Sequence, residues 1–274
     1  DCMDRGGIHD HLGGGFHRYS TDAKWLVPHF EVMLYDQAML AEVYAVAARI
    51  FEVPRYASVA RGICDFVLRE MTSPEGTFYT AMDAEVDHYE GLNYLWTESE
   101  IRELLGAEDA ALFGCVYGVD QGPNFTDPHA NPGRAKDNNI LVLDRPLEQA
   151  AHDHGLGVEE LSAKLATLRA KLKTARDARK QPLLDTKVLT GWNALMAHAL
   201  AVAGRELSEP RYTDAAARNV RWLLAAHRAP DGGVYRTSRG GQAKYAGFLD
   251  DYAALAVACF ACDDAGLADE GRKL

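Results

Sequence analysis

The chain has 274 residues, of which 47% are hydrophobic, and its formal net charge at pH 7 is −11. This apolar content is enough for a sizeable buried core, and the length fits one large domain or two small ones. The acidic charge argues against nucleic acid as a partner, because nucleic-acid-binding proteins present basic patches to the phosphates.

The hydropathy and the cysteines indicate a cytoplasmic protein. No run of about 18 apolar residues is free of charge, so we predict no membrane span and no membrane partner. The five cysteines are odd in number and scattered, which does not suggest a disulfide framework. Cys259 and Cys262 are either two small core residues one helical turn apart or a redox or metal pair, although two thiols supply only half a zinc site. We predict no cofactor and no metal ion.

A glycine-dense segment occupies residues 6–20. Glycine lets the backbone approach a ligand closely, but no Gly-Lys-Ser/Thr follows the triple glycine, which disfavours a phosphate-binding loop. His9, His11 and His17 admit a metal-binding interpretation, although their spacing is not a known ligand pattern. The alternative is a pocket acid or base at His17 or at His29, because histidine titrates near neutrality.

Two kinds of predicted helix follow. Residues 30–51 are apolar on nearly every side, which predicts a buried helix, and Pro28 suits its first turn. Residues 55–71 instead have one apolar stripe backed by charged residues, which is typical of an amphipathic helix. A short β-prone piece follows at residues 77–79.

The middle of the chain is less regular. Thr97 and Glu100 form a helix-start signal ahead of a helix at residues 101–105. Residues 118–146 are rich in Gly, Pro, Asn and Asp and predict a long loop. Residues 159–180 predict a helix whose acidic residues come early and whose basic residues come late, which complements the helix dipole.

The second half of the chain repeats the first at an offset of 156 residues. The matching pairs are Pro54-Arg55-Tyr56 with Pro210-Arg211-Tyr212, and Pro74-Glu75-Gly76 with Pro230-Asp231-Gly232. Residues 193–203 and 252–262 are apolar on nearly every side and predict further buried helices. Residues 211–227 have one apolar stripe and predict a second amphipathic helix, and residues 234–235 predict a β-prone piece.

Alternation of buried and amphipathic helices is the pattern of an α/α toroid. We predict an all-α chain in which residues 1–274 form a single (α/α)6-barrel-like domain, with short β pieces in its loops. About eight or nine helices are apparent in the sequence, whereas a closed ring of six hairpins needs twelve. We therefore expect an incomplete ring that is completed by self-association or by a missing segment.

Polar and aromatic residues gather where the three predicted buried helices begin. Alignment of their apolar runs places Asp36, Trp192 and Asp251 in equivalent positions. In a toroid these ends converge on one mouth, which predicts a site with flat aromatic faces for a sugar ring and polar groups for its hydroxyls. The alternative is that Asp36, Asp250 and Asp251 only cap or stabilise helix N-termini.

The candidate site residues form two chemical groups. The predicted acid–base residues are His17, His29, Glu31, Asp36, Asp250 and Asp251. The predicted substrate-binding residues are Arg18, Tyr19, Trp25, Tyr35, Trp96, Trp192, Asn193, Phe248 and Tyr252.

Five motifs closely resemble those of the YyaL/spermatogenesis-associated protein 20 family. They lie at residues 13–20, 25–31, 33–36, 187–193 and 247–252. The resemblance implies a helical domain of the six-hairpin glycosidase superfamily type, similar to N-acylglucosamine 2-epimerases. That family couples its helical domain to an N-terminal thioredoxin-like domain, which this sequence does not show.

These features together predict a pocket for a small, carbohydrate-type ligand. If the domain is an enzyme, the leading expectation is sugar epimerisation or isomerisation by proton transfer. Two alternatives stay open. One is glycoside hydrolysis, which needs two carboxylates about 5–10 Å apart. The other is a non-catalytic module that presents a ligand or partner to a thioredoxin-like domain.

Overall fold

A computed structural model of the chain describes residues 1–126 and 138–274. Within these ranges the protein is mostly helical, with short strands between the helices, which confirms the predicted class. None of the described helices is long and apolar enough to cross a membrane.

The helices are α1 Cys2–Arg5, α2 Leu34–Phe51, α3 Pro54–Glu70, α4 Glu98–Leu105, α5 Ala107–Tyr117, α6 Leu147–Asp153, α7 Val158–Asp177, α8 Thr190–Glu206, α9 Pro210–Ala226, α10 Leu249–Ala261 and α11 Ala265–Gly271. The strands are β1 Tyr19–Ser20, β2 Pro28–His29, β3 Val32–Met33, β4 Ala81–Met82, β5 Glu85–Val86, β6 Tyr89–Glu90, β7 Leu184–Asp185, β8 Val188–Leu189, β9 Tyr235–Arg239 and β10 Gln242–Ala246. A 3-10 turn covers Val119–Gln121.

The chain divides into two compact units. Unit 1 comprises Asp1–Glu31 and Asp83–Leu183, and unit 2 comprises Val32–Met82 and Leu184–Leu274. The single toroid domain over residues 1–274 stays a prediction.

Unit 2 consists of three helical hairpins, which are α2–α3, α8–α9 and α10–α11. Helices α2, α8 and α10 form an inner row with α8 in the middle, and each outer helix packs on the inner helix of its own hairpin. The central helix α8 is buried along most of its length. This is the hairpin arrangement of an α/α toroid, as the sequence predicts.

The predicted 156-residue repeat is confirmed in the structure. Adding 156 to the first residues of α2 and α3 gives the first residues of α8 and α9. Pro54 and Pro210 both lie in the first helical turn, where the missing N–H has no partner to lose. Asp36, Trp192 and Asp251 are each the third residue of their inner helix, so their predicted equivalence holds.

Some predicted boundaries differ from the structure. The helix predicted from residue 30 begins at Leu34, because β2 and β3 precede it, and Pro28 pairs with Ser20 across β1 and β2 instead of starting a helix. The hairpin of β9 and β10 was not predicted, although Gly240 and Gly241, both at positive φ, are a strong turn signal. The predicted loop at 118–146 contains the 3-10 turn, and its residues 127–137 lie outside the described residues.

Unit 1 packs its N-terminal segment and the helices α4–α7 around an apolar core. Helix α4 begins where the sequence predicts, with a capping box between Thr97 and Glu100. The antiparallel pairs β1–β2 and β5–β6 lie in this unit and carry the charged residues described below.

Asn193 joins the two copies of the repeat in unit 2 through hydrogen bonds. Its Oδ1 accepts the Phe78 N–H at 2.7 Å, and its Nδ2 donates to the Phe78 carbonyl at 2.9 Å and to the Leu189 carbonyl at 3.1 Å. Asn219 donates to the same Oδ1 at 3.0 Å. The side chain is fully buried, so every partner would lose its hydrogen bond without gaining water.

We expect Asn193→Ala to lower the free energy of unfolding by about 2–4 kcal/mol, because it leaves buried peptide groups unpaired. Urea unfolding followed by circular dichroism measures the change. Gln149→Ala is the control, since the Gln149 amide donates to Asp153 at the exposed surface and should matter by less than about 0.5 kcal/mol. Equal midpoints for Asn193→Ala and the wild type would contradict this role.

Candidate functional site

An acid–base cluster lies at the surface of unit 1, where β2 and β6 bring three side chains together. His29 Nδ1 is 2.7 Å from Glu90 Oε1, and His29 Nε2 is 3.7 Å from Glu31 Oε2. A carboxylate oxygen only accepts, so Nδ1 carries a proton, and Nε2 is an acceptor whenever the ring is neutral. The side chains of His29 and Glu31 are each 28% exposed, so the imidazole is within reach of a ligand.

Strand pairing explains why four predicted site residues meet here. Tyr19 pairs with His29 across β1 and β2, and the two rings stack with centroids 5.0 Å apart. Arg18 donates its backbone N–H to the Glu31 carbonyl at 2.8 Å and its Nη1 to Glu31 Oε2 at 2.9 Å. The Glu31 carboxylate is therefore held beside His29, and the exposed Tyr19 ring offers a flat face next to both.

Glu90 belongs to this cluster but was not predicted. It ends the hairpin of β5 and β6, whose turn places Asp87 and His88 at positive φ. Glu90 lies 61 residues after His29 in the chain, and neither composition nor periodicity connects the two. The only sequence signal is the pair of β-prone residues, Val86 and Tyr89, that flanks the turn, and such a short signal is weak.

His17 lies behind this cluster rather than in it. Its Nδ1 donates to the Phe30 carbonyl at 3.0 Å, and its ring meets the Phe30 and Tyr94 rings edge-on. Burial lowers the pKa of His17 to about 4, so the ring is neutral at neutral pH. His17 is only 3% exposed, so a substrate that reaches His29 does not contact the His17 ring.

A small cavity of about 20 Å³, the room that one water molecule needs, lies beside His17. His9, His11 and His17 line it together with Asp10 and Arg176. His9 and His11 each bond to a backbone carbonyl, at 2.9 Å and 3.0 Å, and burial lowers the pKa of both. Among the residues that the structure describes, no group of three or more His, Cys, Asp or Glu side chains is arranged to hold a metal ion.

Asp10 and Arg176 form a buried, two-pronged ion pair. Arg176 Nη1 donates to Asp10 Oδ1 and Arg176 Nη2 donates to Asp10 Oδ2, each at 2.7 Å. Burial alone would raise the pKa of Asp10, but the adjacent guanidinium holds it well below its usual range. The pair joins the N-terminal segment to α7 and was not predicted.

The two predicted tryptophans of unit 1 differ in burial and surroundings. Trp96 is buried, lines the cavity and is covered by the Arg179 guanidinium at 3.9 Å from the ring centroid. Trp25 is half-buried and has a φ of 61°, which only a fixed turn imposes on such a bulky residue.

In unit 2, the predicted aromatic residues lie at the starts of the inner helices. Tyr35 of α2 and Trp192 of α8 meet edge to face, with ring centroids 4.8 Å apart. Asp36 follows Tyr35 and is half-buried. The Tyr252 hydroxyl accepts the Val234 N–H at 2.9 Å, which ties α10 to the segment before β9.

The two acidic residues of α10 differ sharply in their surroundings. Asp251 accepts the Gly191 N–H and the Phe248 N–H, both at 2.9 Å, and pairs with Arg236 at 2.8 Å. Its side chain is only 2% exposed, which favours the capping interpretation for this residue. Asp250 is 66% exposed and 3.5 Å from Arg236, whose guanidinium also lies 4.6 Å from the Phe248 ring centroid.

Cys259 and Cys262 are not activated thiols. All five cysteines are free, and burial raises the pKa of Cys259 and of Cys262 to about 11. At neutral pH these thiols are therefore protonated, which favours the core interpretation over a redox role.

Comparison with known proteins supports the family resemblance that the motifs indicate. No family model matches the chain. Human spermatogenesis-associated protein 20 is 37% identical over 275 residues, which covers 92% of this chain and 35% of the human protein. An uncharacterised protein of Caenorhabditis elegans is 33% identical over 280 residues, which covers 93% of this chain and 38% of that protein.

These matches confirm the resemblance that the motifs indicate. The chain is related to the spermatogenesis-associated protein 20 family, and it spans about a third of the length of the curated relatives it matches.

Solved structures give only a distant likeness. A D-mannose isomerase is 11% identical with a TM-score of 0.33, and the match covers 95% of this chain and 62% of that one. A cellobiose 2-epimerase from Bacillus thermoamylovorans B4167 is 11% identical with a TM-score of 0.26, and the match covers 90% of this chain and 76% of that one. Scores at this level carry no inference about activity.

We expect stability to fall in acid because His17 is buried as a neutral ring. The pKa of His17 is lowered from 6.5 to about 4, so the unfolded chain binds a proton that the folded chain does not. This stabilisation is complete above pH 6.5 and is lost as the pH falls towards 4, and a shift of this size corresponds to about 3 kcal/mol.

Urea unfolding at pH 7 and at pH 4 measures this loss, with His17→Asn as the matched variant. Asparagine keeps an N–H donor near the Phe30 carbonyl but does not titrate. The fall in unfolding free energy between the two pH values should be smaller in His17→Asn by about 3 kcal/mol. The same fall in both proteins would show that His17 does not carry the effect.

Proposed function

We propose that His29, Glu90 and Glu31 form an acid–base site that moves a proton on a small, carbohydrate-type substrate. One observation carries this proposal. The His29 imidazole lies between two carboxylates, with Nδ1 fixed on Glu90 at 2.7 Å and Nε2 facing Glu31 at 3.7 Å, and it remains partly exposed. A histidine whose Nδ1–H is oriented by a carboxylate, and whose Nε2 can accept a proton, is the usual form of a general base.

In this mechanism His29 Nε2 takes the proton from the carbon next to the carbonyl of an open-chain sugar. The electron pair of the broken C–H bond moves into an enediolate, and Glu90 stabilises the resulting imidazolium through the Nδ1–H. Rotation of the enediolate about its C2–C3 bond presents the opposite face to the imidazolium, and protonation of C2 there gives the epimer. Protonation of C1 by the imidazolium, while the hydroxyl proton passes from O2 to O1, gives the isomer. No atom is gained or lost, and no oxidant or reductant is needed.

The neighbouring side chains supply recognition. Glu31 is held by Arg18, so its carboxylate accepts hydrogen bonds from sugar hydroxyls beside the reacting carbon. The Tyr19 ring, stacked on His29, gives a flat surface for the apolar face of the sugar. In unit 2, the predicted binding roles of Tyr35, Trp192 and other inner-helix residues stay proposals.

Proton transfer by His29 is favoured over glycoside hydrolysis for a geometric reason. A glycosidase uses two carboxylates that act independently on opposite sides of the scissile bond. Here Glu31 and Glu90 both face the same imidazole, which makes the histidine the centre of the cluster.

We expect His29→Gln to lower kcat for sugar conversion by about 10²- to 10⁴-fold, because the general base is lost. Chromatography of reactions with D-mannose, N-acetyl-D-glucosamine and cellobiose measures conversion. His152→Gln is the matched control, since His152 lies on α6 and its side chain is 86% exposed. Undiminished conversion by His29→Gln would contradict the proposal. Binding of a sugar without conversion by the wild type would favour a binding module instead.

We expect Tyr19→Ala to raise KM about fivefold with little change in kcat, because a stacking face contributes about 1 kcal/mol of binding to substrate and transition state alike. Tyr19→Phe keeps the ring and should keep the wild-type KM. Steady-state kinetics of the converted sugar measures both, and a rise in KM for Tyr19→Phe equal to that for Tyr19→Ala would contradict the stacking role.

A further inference from the structure

The Phe30 backbone connects the exposed acid–base cluster to the buried His17. On one side of this residue, the Phe30 N–H donates to Glu90 Oε1 at 3.1 Å, the same oxygen that accepts from His29 Nδ1 at 2.7 Å. On the other side, the Phe30 carbonyl accepts from His17 Nδ1 at 3.0 Å. Glu90 in the cluster therefore holds the Phe30 N–H, and the buried His17 holds the Phe30 carbonyl.

We propose that His17 is a positioning residue for His29. By holding the Phe30 carbonyl, His17 fixes the Phe30 N–H against Glu90, and Glu90 in turn fixes His29 as the Nδ1–H tautomer with Nε2 ready to accept a proton. A catalytic role for this series of hydrogen bonds rests on the function proposed above. The effect of His17 on the tautomer of His29 does not depend on that function.

The surroundings of His17 suit this task. Its ring is held by edge contacts with Phe30 at 5.1 Å and Tyr94 at 4.6 Å, so it has little freedom to turn away. The charges closest to it, on Asp10 and Arg176, are paired with each other. His17 therefore stays a neutral ring that donates from Nδ1, because a backbone carbonyl can only accept.

Gly91 makes the contact between Glu90 and Phe30 sterically feasible. It has a φ of 72°, and a Cβ built on it would lie 2.5 Å from Phe30 Cε2. Any larger residue would push the Phe30 ring away, and with it the N–H that Glu90 accepts. Glycine is thus required here both for its conformation and for the close approach.

The test reads the tautomer of His29 by ¹⁵N NMR of the full chain at a pH where its ring is neutral, and it needs no substrate. In the wild type we expect mainly the Nδ1–H tautomer. His17→Leu removes the donor, so the Nδ1–H fraction should fall at least twofold. His17→Asn replaces the Nδ1–H donor by an amide N–H and should keep the wild-type tautomer.

Two results would overturn the proposal. One is a folded His17→Leu with the wild-type tautomer of His29, which would make His17 an ordinary core residue. The other is a loss in His17→Asn as large as in His17→Leu, because packing rather than the donor would then be responsible.

Gly91→Ala keeps the test decisive if His17→Leu does not fold. Its matched control is Gly155→Ala, since Gly155 has a similar φ of 65° and no atom within 4 Å of a built Cβ. We expect the His29 tautomer to change in Gly91→Ala alone, and equal tautomers in the two variants would overturn the linkage through Phe30.

Failure of the positioning role and failure of the proposed function are distinguishable. An expected tautomer response together with full sugar conversion by His29→Gln would overturn the catalytic role only. Loss of conversion in His29→Gln with no tautomer response in His17→Leu or Gly91→Ala would overturn the positioning role only.

Discussion

The buried ion pair between Asp10 and Arg176 is the interaction on which the site in unit 1 depends. Their side chains are 8% and 6% exposed, and removing two charges from water costs several kcal/mol per ion unless the pair is well formed. The two-pronged geometry meets that requirement and fixes the N-terminal segment on α7. With that segment in place, His17 reaches Phe30, Phe30 reaches Glu90, and Glu90 orients His29.

Much of the hairpin architecture could be predicted because the sequence contains the same helical pattern in two copies. The inner helices are apolar on nearly every side and the outer ones on one side, and the 156-residue offset puts both copies in one register. The short strands at residues 28–33 were missed because the residues around them continue an apolar pattern that also fits a helix. Two-residue strands are set by pairing with distant partners, such as Val32 with Met82, rather than by local propensity.

The sequence predicted the members of the candidate site that lie near one another in the chain, but it missed the distant ones. Arg18, Tyr19, His29 and Glu31 come together because they lie in or directly beside the paired strands β1 and β2. Glu90 and the Asp10–Arg176 pair depend on contacts between residues 60 or more positions apart, which a single sequence does not encode in any local pattern. Asp251 and Asn193 look like ligand-binding residues in the sequence. In the structure their polar atoms bond to backbone and side-chain partners inside unit 2, because the residue types that bind ligands also cap helices and bond to buried peptide groups.

The central claim is that His29 removes a carbon-bound proton from an open-chain sugar. The most direct test is to incubate the protein with a converted sugar in D₂O and follow the proton at C2 by ¹H NMR. The account predicts that solvent deuterium replaces the C2 proton with the wild type and that exchange is abolished in His29→Gln. Conversion without any deuterium at C2, or equal exchange in the variant, would contradict it.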